Sequence, residues 1–256
     1  MKNYFDIKDK VAIITGGSSG LGVQIAKAYA SQGVKVALFA RREEKLKAVA
    51  DEIKDEFGTD VIYAVTDVSD YANIQESVKK VIDEFGKIDI LVNAAGVGHV
   101  KPVLEQSVEE WDKHVKIDLS GIYYMCKAVG EYMVEQKSGR IINLGSIHSK
   151  VAIAGGGIST YTSCKGAVKN LTQNLAVEWA PYNITVNAVG PAYFMSEMTQ
   201  ELLEQPEFEQ VIGAYCPMGR VGAPGELDAL FIYLASDNSS YTTGQLICVD
   251  GGWTSI

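Results

Sequence analysis

The chain has 256 residues, of which 47% are hydrophobic and 21% are charged. This composition is ordinary for a globular protein, and the length allows a large core to be buried. A net charge of −9 disfavours nucleic acids and anionic membranes as partners, because both repel an acidic surface. No apolar run approaches the roughly 20 residues of a membrane span, and the N-terminus lacks the apolar stretch of a signal peptide.

The cysteines are far apart and form no C-x-x-C pair; they are Cys126, Cys164, Cys216 and Cys248. Dispersed cysteines in a chain of this size are typical of free thiols in a reducing compartment. We therefore expect a cytoplasmic protein with no metal site.

Short β-branched segments alternate with longer amphipathic segments along the chain. The predicted strands cover residues 11–15, 34–40, 61–66, 88–93, 140–146, 184–189 and 245–250. Most of them are apolar throughout, which is typical of strands covered on both faces. Predicted helices cover 21–32, 42–57 and 74–85, and another begins at Ser107, where the S-x-x-E pattern predicts a capping box. This alternation predicts an α/β fold, with one doubly wound parallel sheet and helices on both faces, in a single domain over 1–256.

Residues 190–220, which we call the flap segment, do not follow this alternation. The segment opens with Gly190-Pro191 and is rich in Met, Leu and Phe, with little strand character. A mobile apolar flap beside an active site has this composition. The alternative is a pair of surface helices with an apolar face directed at the core.

The first predicted strand leads directly into a glycine-rich turn, Thr-Gly-Gly-Ser-Ser-Gly-Leu-Gly at residues 15–22. Small residues allow a tight turn and let a pyrophosphate approach the amides that open the next helix. The spacing is G-x-x-x-G-x-G, not the common G-x-G-x-x-G. Glycine alone is weak evidence, since any tight strand-to-helix turn uses it, but its position after the first strand strengthens the interpretation.

The turn resembles the TGxxxGxG signature of the short-chain dehydrogenase/reductase family, and further family motifs follow in the same order. They are Asp67-Val68, the Asn-Ala-Ala-Gly stretch at 93–96, Ser146 with Tyr161-x-x-x-Lys165, the stretch 187–191 and the Val-Asp-Gly-Gly at 249–252. The resemblance covers essentially the whole chain. It implies a Rossmann fold and an oxidoreductase that interconverts an alcohol and a ketone with NAD(H) or NADP(H).

The resemblance also implies the residues that bind the cofactor, with Asp67 at the adenine amine. They are Gly16, Ser18, Ser19, Gly20, Leu21, Gly22, Arg41, Arg42, Asp67, Val68, Asn93, Ala94, Gly96, Tyr161, Lys165 and Pro191. Enzymes that prefer NAD place an acidic residue about 20 residues beyond the turn, on the ribose 2′-hydroxyl. Here Ala40 is followed by Arg41 and Arg42, and a guanidinium can pair with a 2′-phosphate. We therefore favour NADP(H) over NAD(H), although a solvated start of a helix would also carry such arginines.

Tyr161 and Lys165 are four residues apart, so on a helix they share a face. A free tyrosine has a pKa of about 10, too high for proton exchange near neutrality, but a neighbouring ammonium and an oxidised nicotinamide favour the phenolate. Ser146, at the end of the fifth strand, can donate a hydrogen bond to the substrate oxygen. A bare Y-x-x-x-K usually marks only a helix surface; together with Ser146 and the glycine turn it predicts acid–base catalysis.

Asp118 departs from the family pattern, which often has Asn at this position. In the family, the main chain of that residue anchors a water that feeds the proton relay to the lysine. A backbone role survives the change to Asp, so we expect activity, and the pH response of the relay is left open. Ala192 is a second departure, since a glycine often follows the proline, and it affects loop freedom more than chemistry.

The candidates for substrate contact are Ser146, His148, His99 and Tyr193. The histidines follow the 93–96 and Ser146 segments, so they could line a pocket; loop histidines facing water are the alternative, favoured for His99 and evenly balanced for His148. His114 lies among charged helix residues and is expected at the surface.

The substrate is the least determined feature. The chain is most similar to the branch with gluconate 5-dehydrogenases and related polyol or sugar-acid reductases, through residues 4–7, 206–208 and 217–220. The alternatives are a 3-oxoacyl carrier-protein reductase and a hydroxysteroid dehydrogenase, since the Met- and Phe-rich flap segment also suits an apolar ligand. Val177 stands where carrier-protein enzymes often have Arg, and the net negative charge would slow encounter with an acidic carrier.

Two rivals remain outside catalysis. One is a structural subunit of a larger assembly, which cofactor oxidation by the isolated protein would exclude, and the other is a nucleotide-sensing protein without catalysis. Such a protein would be expected to lose Tyr161 or Lys165, and this chain retains both. The family resemblance further implies a homotetramer acting on a small-molecule alcohol or ketone.

Overall fold

The computed structural model describes residues 3–98, 100–153, 156–197 and 199–256. Within these residues, seven parallel strands form one sheet in the order β3-β2-β1-β4-β5-β6-β7. The strands are β1 Val11–Thr15, β2 Lys35–Ala40, β3 Val61–Val65, β4 Ile90–Asn93, β5 Gly139–Leu144, β6 Ile184–Pro191 and β7 Leu246–Val249. The predicted parallel sheet is confirmed.

Helices connect the strands and cover the sheet. They are α1 Gly20–Ala30, α2 Glu43–Phe57, α3 Tyr71–Phe85, α4 Val108–Val115, α5 Gly121–Gln136, α6 Ser159–Trp179, α7 Gln200–Leu203, α8 Pro206–Tyr215 and α9 Asp228–Ala235. A π-helical turn, Lys116–Ser120, joins α4 to α5. No helix in the described part of the chain is long and apolar enough to cross a membrane.

Each face of the sheet has its own apolar core. Successive residues of β1 alternate between them: Ile14 packs with Ile25 and Phe231 on one face, and Ile13 packs with Val78 and Met125 on the other. The strands are therefore apolar at consecutive positions, because both pleat directions are buried. This confirms the prediction of helices on both faces.

The element boundaries follow local chemistry. Helix α4 begins with the predicted capping box, since the Ser107 hydroxyl accepts from Glu110 N–H and the Glu110 carboxylate accepts from Ser107 N–H. Helix α3 begins three residues earlier than predicted, because the Asp70 carboxylate caps its first turn. Strand β5 ends before Ser146, which instead opens a 3₁₀ turn.

The strand order reverses at β1, which pairs with β2 on one side and β4 on the other. In an open parallel sheet such a switch point leaves a crevice at the carboxyl ends of the strands. The glycine-rich turn after β1 and the 93–96 stretch after β4 meet there. The fold thus places the predicted motifs at one edge of the sheet.

The flap segment contains the short helices α7 and α8. Its Phe194 joins one of the two cores, and its helix α8 packs into a third apolar cluster. Phe208 and Ile212 of α8 pack with Cys216, Trp253 and Ile147. The helices with an apolar inner face, considered above as the alternative, are present in the structure.

Candidate active site

The glycine-rich turn brings the start of α1 against the end of β4. Gly16 has a φ of +71°, and a Cβ there would lie 2.8 Å from the carbonyl oxygen of Ala94. A Cβ at Gly22 would overlap the carbonyl oxygen of Gly16. Only glycine permits this approach. Helix α1 consequently starts at the crevice, where its unpaired first-turn amides can bind an anion.

A cavity of about 210 Å³ lies at the outer side of this crevice. Its lining includes Gly16, Ser18, Ser19, Arg41, Arg42, Asp67, Val68 and Gly96. A second cavity of about 170 Å³ continues on the inner side. Its lining includes Gly20, Leu21, Gly22, Ala94, Ser146, Tyr161, Lys165 and Pro191. Because Gly16, Ser19 and Gly96 line both cavities, we treat them as one groove.

Asn93 is the predicted cofactor residue that lines neither cavity. Its amide donates to Asn143 Oδ1 at 2.9 Å, and the Asn143 amide donates to Thr172 Oγ1 at 2.9 Å. These contacts tie β4 and β5 to α6. Thr15 has a matching role, since its hydroxyl accepts from the amides of Ala94 and Ala95, each at 3.0 Å.

Arg42 reaches across the outer cavity. Its guanidinium donates to Ser18 Oγ at 3.2 Å, to Ser19 Oγ at 2.7 Å and to the carboxylate of Glu197 at 3.0 Å. Lys45 also donates to Glu197. Hydrogen bonds from Lys45 and then Arg42 lower the pKa of Glu197 to about 2. A carboxylate of the flap segment therefore lies at the basic end of the groove.

Asp67 lies at the far wall of the outer cavity. Burial acts to raise the pKa of its carboxyl, but hydrogen bonds from the Ser69 amide and hydroxyl outweigh burial and hold that pKa below its ordinary value. The nearby charge of Arg41 acts in the same direction. Asp67 is thus an ionised acceptor facing the groove.

Tyr161 and Lys165 lie on one face of α6 at the inner cavity. The Lys165 ammonium is buried, donates to the Leu144 carbonyl at 3.0 Å, and lies 5.5 Å from the centre of the Tyr161 ring. Asp118 lies on its other side, with Oδ2 3.7 Å from Lys165 Nζ. The structure therefore brings together three of the predicted catalytic residues.

Ser146 lines the inner cavity, and His148 is hydrogen-bonded to it. The Ser146 hydroxyl oxygen accepts from His148 N–H at 3.1 Å, so its own proton is available to a ligand. Since a carbonyl only accepts, His148 Nδ1 donates to the Val151 carbonyl at 3.0 Å, and Nε2 accepts from the Tyr193 hydroxyl at 3.3 Å. Burial lowers the pKa of His148, which favours this neutral ring. His148 is buried, so the water-facing alternative is wrong for it.

The expectation that His114 is a surface residue is wrong. Its side chain is 3% exposed and lies against Asp118. Helix α4 packs against α6, and the face that carries His114 turns inward. His99 lies outside the described residues.

Comparison with known proteins identifies the family. The family model described as Enoyl-(Acyl carrier protein) reductase matches residues 16–254. The gluconate 5-dehydrogenase of Gluconobacter oxydans is 35% identical over 252 residues, covering 98% of this chain and 97% of that protein. The chain belongs to the short-chain dehydrogenase/reductase family.

Other relatives within the family bear different names. The 3-oxoacyl-(acyl-carrier-protein) reductase of Chlamydia muridarum is 37% identical, covering 95% of this chain and 97% of that protein. The structure is also similar to that of a gluconate 5-dehydrogenase from Burkholderia cenocepacia in complex with NADP and tartrate, with a TM-score of 0.94 and 33% identity, covering 99% and 98% of the two chains.

As a short-chain dehydrogenase/reductase, the protein is an oxidoreductase acting on alcohols or ketones with NAD or NADP. The groove fits that cofactor, because the closely approaching Gly16 and Gly22 leave room for a pyrophosphate at the start of α1. Among the described residues, no group of three or more His, Cys, Asp or Glu side chains is arranged to hold a metal.

Several residues of this short-chain dehydrogenase/reductase site were missed in the sequence. Thr15, Asn143 and Thr172 hold the motif loops, and Glu197 contacts the basic end of the groove. Asn143 had a detectable signal, since it is a polar residue inside an otherwise apolar strand. Glu197 had none, because its partner Arg42 is 155 residues away.

Proposed function

We propose that the protein is an NADP(H)-dependent oxidoreductase that interconverts a secondary alcohol and a ketone, with Tyr161 as the acid–base catalyst. The supporting observation is the cluster of Ser146, Tyr161 and Lys165 along the inner cavity of the cofactor groove. When bound, the nicotinamide supplies or accepts the hydride. The protein residues then handle the proton and the substrate oxygen.

The three residues have distinct roles in this proposal. Ser146, whose oxygen already accepts from His148 N–H, donates its proton to the substrate oxygen and orients the carbonyl. Tyr161 gives its hydroxyl proton to that oxygen during reduction and takes it back during oxidation. Lys165, held by the Leu144 carbonyl, stabilises the phenolate through its charge.

The preference for NADP(H) rests on the basic end of the groove. Arg42 and Ser19 are linked by a 2.7 Å hydrogen bond beside the cavity that Asp67 closes. A guanidinium and two serine hydroxyls match a ribose 2′-phosphate, whereas NAD would leave the guanidinium without a phosphate partner. The NADP named in the Burkholderia cenocepacia complex agrees with this proposal.

We assign the substrate to the sugar acids and polyols, in the manner of a gluconate 5-dehydrogenase. Support comes from the Ser146 hydroxyl at the inner cavity and from the Tyr193 hydroxyl beside His148, whose oxygen can still accept a hydrogen bond from a polyhydroxylated ligand. The named activities of several relatives, including a D-threitol dehydrogenase and a galactitol 2-dehydrogenase, are of this class. The flap segment, which carries Tyr193, forms the outer wall of the substrate site.

A carrier-protein reductase is the main competitor, since relatives with that name are as similar. Such an enzyme docks an acidic carrier protein and should present basic residues near the groove. Val177 of α6 is 78% exposed and uncharged, and Glu178 beside it is acidic. This surface does not favour an acidic partner.

The test is a screen of NADPH oxidation with 5-keto-D-gluconate, ketoses, acetoacetyl thioesters and a ketosteroid. We expect the highest kcat/KM with 5-keto-D-gluconate or a related ketose. A clear preference for a thioester or a ketosteroid would overturn the substrate assignment. Failure to oxidise NADPH or NADH with any of these substrates would count against the enzyme proposal itself.

We also propose that the enzyme is a homotetramer. Large apolar side chains are exposed on adjacent helices, among them Tyr123 of α5 and Val177 of α6, and Ile256 is exposed at the C-terminus. Burying such surfaces between copies removes them from water. Sedimentation at micromolar concentration should show a species about four times the 27.7 kDa chain, and a 27.7 kDa species would contradict the proposal.

A further inference from the structure

His114 is a buried histidine outside the proposed catalytic set. It lies beside Asp118, whose carboxylate faces Lys165. His114 occupies the last turn of α4, and its Nε2 lies 3.7 Å from Asp118 Oδ2. The four-residue spacing places the two side chains on the same helical face. Both are buried, and Asp118 has no exposed surface. Burial of two ionisable groups is unfavourable unless their charges compensate each other or a third charge.

The surroundings of Asp118 leave one of its oxygens between two nitrogen groups. Oδ1 accepts from Val97 N–H at 2.8 Å. Oδ2 has no hydrogen-bond donor among the described residues and lies 3.7 Å from Lys165 Nζ as well as from His114. A Cβ at Gly96 would lie 3.2 Å from Oδ2, so glycine leaves the carboxylate room. His114, Asp118 and Lys165 therefore form a continuous buried cluster.

This cluster extends to Tyr161. The His114 ring lies 6.2 Å from the Tyr161 ring, centre to centre, at an interplanar angle of 86°. Lys165 Nζ lies 5.5 Å from the same ring. From α6, the cluster is faced by Tyr161, Cys164 and Lys165; from α4 by His114; and from the loop after β4 by Val97 N–H. Burial and, second, the charge of Asp118 raise the pKa of Cys164 to about 11, so the carboxylate influences its neighbours.

We propose that His114 is a positioning residue that acts through Asp118 and Lys165 to set the pH range in which Tyr161 exchanges its proton. The inference rests on the proposed role of Tyr161, and it assigns to His114 no contact with substrate or cofactor. The direction of the effect on Tyr161 ionisation follows from the charges around Asp118. The Asp118 carboxylate, 3.7 Å away, favours the protonated form of His114. That imidazolium offsets the Asp118 carboxylate, so the Lys165 ammonium stabilises the Tyr161 phenolate fully. A neutral residue at position 114 leaves Asp118 to offset Lys165 instead, and the phenolate is less stable.

The test measures ionisation of Tyr161 directly, without substrate. The tyrosinate absorbance of the purified enzyme is followed as pH rises, and the curve of the matching variant with Tyr161→Phe is subtracted. His114→Gln should raise the midpoint of the remaining transition by up to about two pH units, the scale of one charge acting over the 6.2 Å between the two ring centres at an effective dielectric constant of about 20. Asp118→Asn should lower it by a similar amount.

A double variant separates this effect from a packing change. In the Asp118→Asn background, His114→Gln should add little further shift, because a buried imidazole without a neighbouring carboxylate favours its neutral form and has no charge to lose. An equal shift in both backgrounds would overturn the proposal. If His114→Gln fails to fold by circular dichroism, His114→Asn supplies a second neutral side chain for the same comparison.

His148 provides a matched control. Its ring lies 6.3 Å from the Tyr161 ring, at 76°, and it is also buried. Among the described residues, however, its nitrogens contact Val151 and Tyr193 and no carboxylate. His148→Gln should leave the Tyr161 midpoint in place. An unchanged midpoint in His114→Gln, or the same shift in both histidine variants, contradicts the proposal.

The titration also distinguishes this inference from the proposed function. Should the substrate screen give no turnover, a His114-dependent midpoint would still support the inference. If no Tyr161-dependent transition occurs below the range of free tyrosine, near pH 10, the proposed role of Tyr161 fails and the inference fails with it.

Discussion

The groove around Lys165 and the flap segment differ in how they are held. Three polar residues of the groove region are buried: Lys165, Asp118 and Asn143. Their polar atoms contact the strands of the sheet and the helices packed on it. The flap segment packs through a separate apolar cluster around Phe208 and Trp253, and only its Phe194 is among the described core residues beside the sheet. It lines the inner cavity with residues such as Phe194 and Ser196, and its exposed Glu197 pairs with Arg42 at the basic end of the groove.

This difference indicates that the groove carries the catalytic chemistry and the flap segment the substrate selectivity. Groups that move protons need fixed distances, and burial within the sheet edge supplies them. A segment with a separate cluster can vary its side chains without disturbing the sheet. We therefore expect changes in the groove to alter kcat or cofactor affinity, and changes in the flap segment to alter substrate affinity.

The largest expected effect is that of Tyr161→Phe. Removal of the hydroxyl should lower kcat by roughly 100- to 10,000-fold, because proton transfer loses its donor. The dissociation constant for NADPH, measured by fluorescence titration, should stay within a few-fold of the wild type. A variant that keeps a substantial fraction of wild-type kcat would falsify the catalytic assignment.

Replacement of Arg41 and Arg42 together by Ala should have the next largest effect. Loss of charge-assisted hydrogen bonds costs about 1.5–3 kcal/mol, so the KM for NADPH should rise roughly 10- to 150-fold while that for NADH barely changes. Lys45→Ala is the matched control, since Lys45 contacts Glu197 but does not line the cavity. If the unmodified enzyme prefers NADH, the argument from these arginines is wrong.

Tyr193→Phe tests the expectation that changes in the flap segment alter substrate affinity. The phenol donates to His148, and a lost hydrogen bond of this kind costs about 0.5–1.5 kcal/mol. The KM for the sugar-acid substrate should rise by roughly 2- to 12-fold, with kcat little changed. Steady-state kinetics at saturating NADPH measure both values. A fall in kcat with constant KM would place Tyr193 in the chemistry.

The smallest expected effect is that of Glu197→Gln. Glu197 stays ionised at neutral pH, since its pKa is about 2, and it competes with a phosphate for Arg42. An exposed ion pair contributes about 0–1 kcal/mol, so the KM for NADPH should fall by up to about 5-fold. Glu226→Gln removes a comparable exposed pair, with Arg220, outside the groove and should leave this KM unchanged. A rise in the KM for NADPH would show that Glu197 assists binding.

Local patterns predicted much of the fold and part of the site. The apolar strands, the capping box at Ser107 and the glycine-rich turn were identified in the sequence, because each depends on neighbouring residues and on the period of one element. Tyr161 and Lys165 could be paired for the same reason, since four residues of helix bring them together. The parallel sheet followed from the alternation of such elements.

Other features depend on how distant elements pack. The sequence placed His114 at the surface, and only the packing of α4 on α6 shows that it faces Asp118 and Tyr161. The 155-residue separation of Arg42 from Glu197 likewise leaves no local trace.

By itself, the sequence determined which elements form and which motif residues reach the carboxyl edge of the sheet, because periodicity and turn chemistry act within one element. The tertiary structure alone decided which charges meet there. Burial and electrostatic contact depend on the neighbours that other parts of the chain supply, and those neighbours exist only once the sheet and helices have packed.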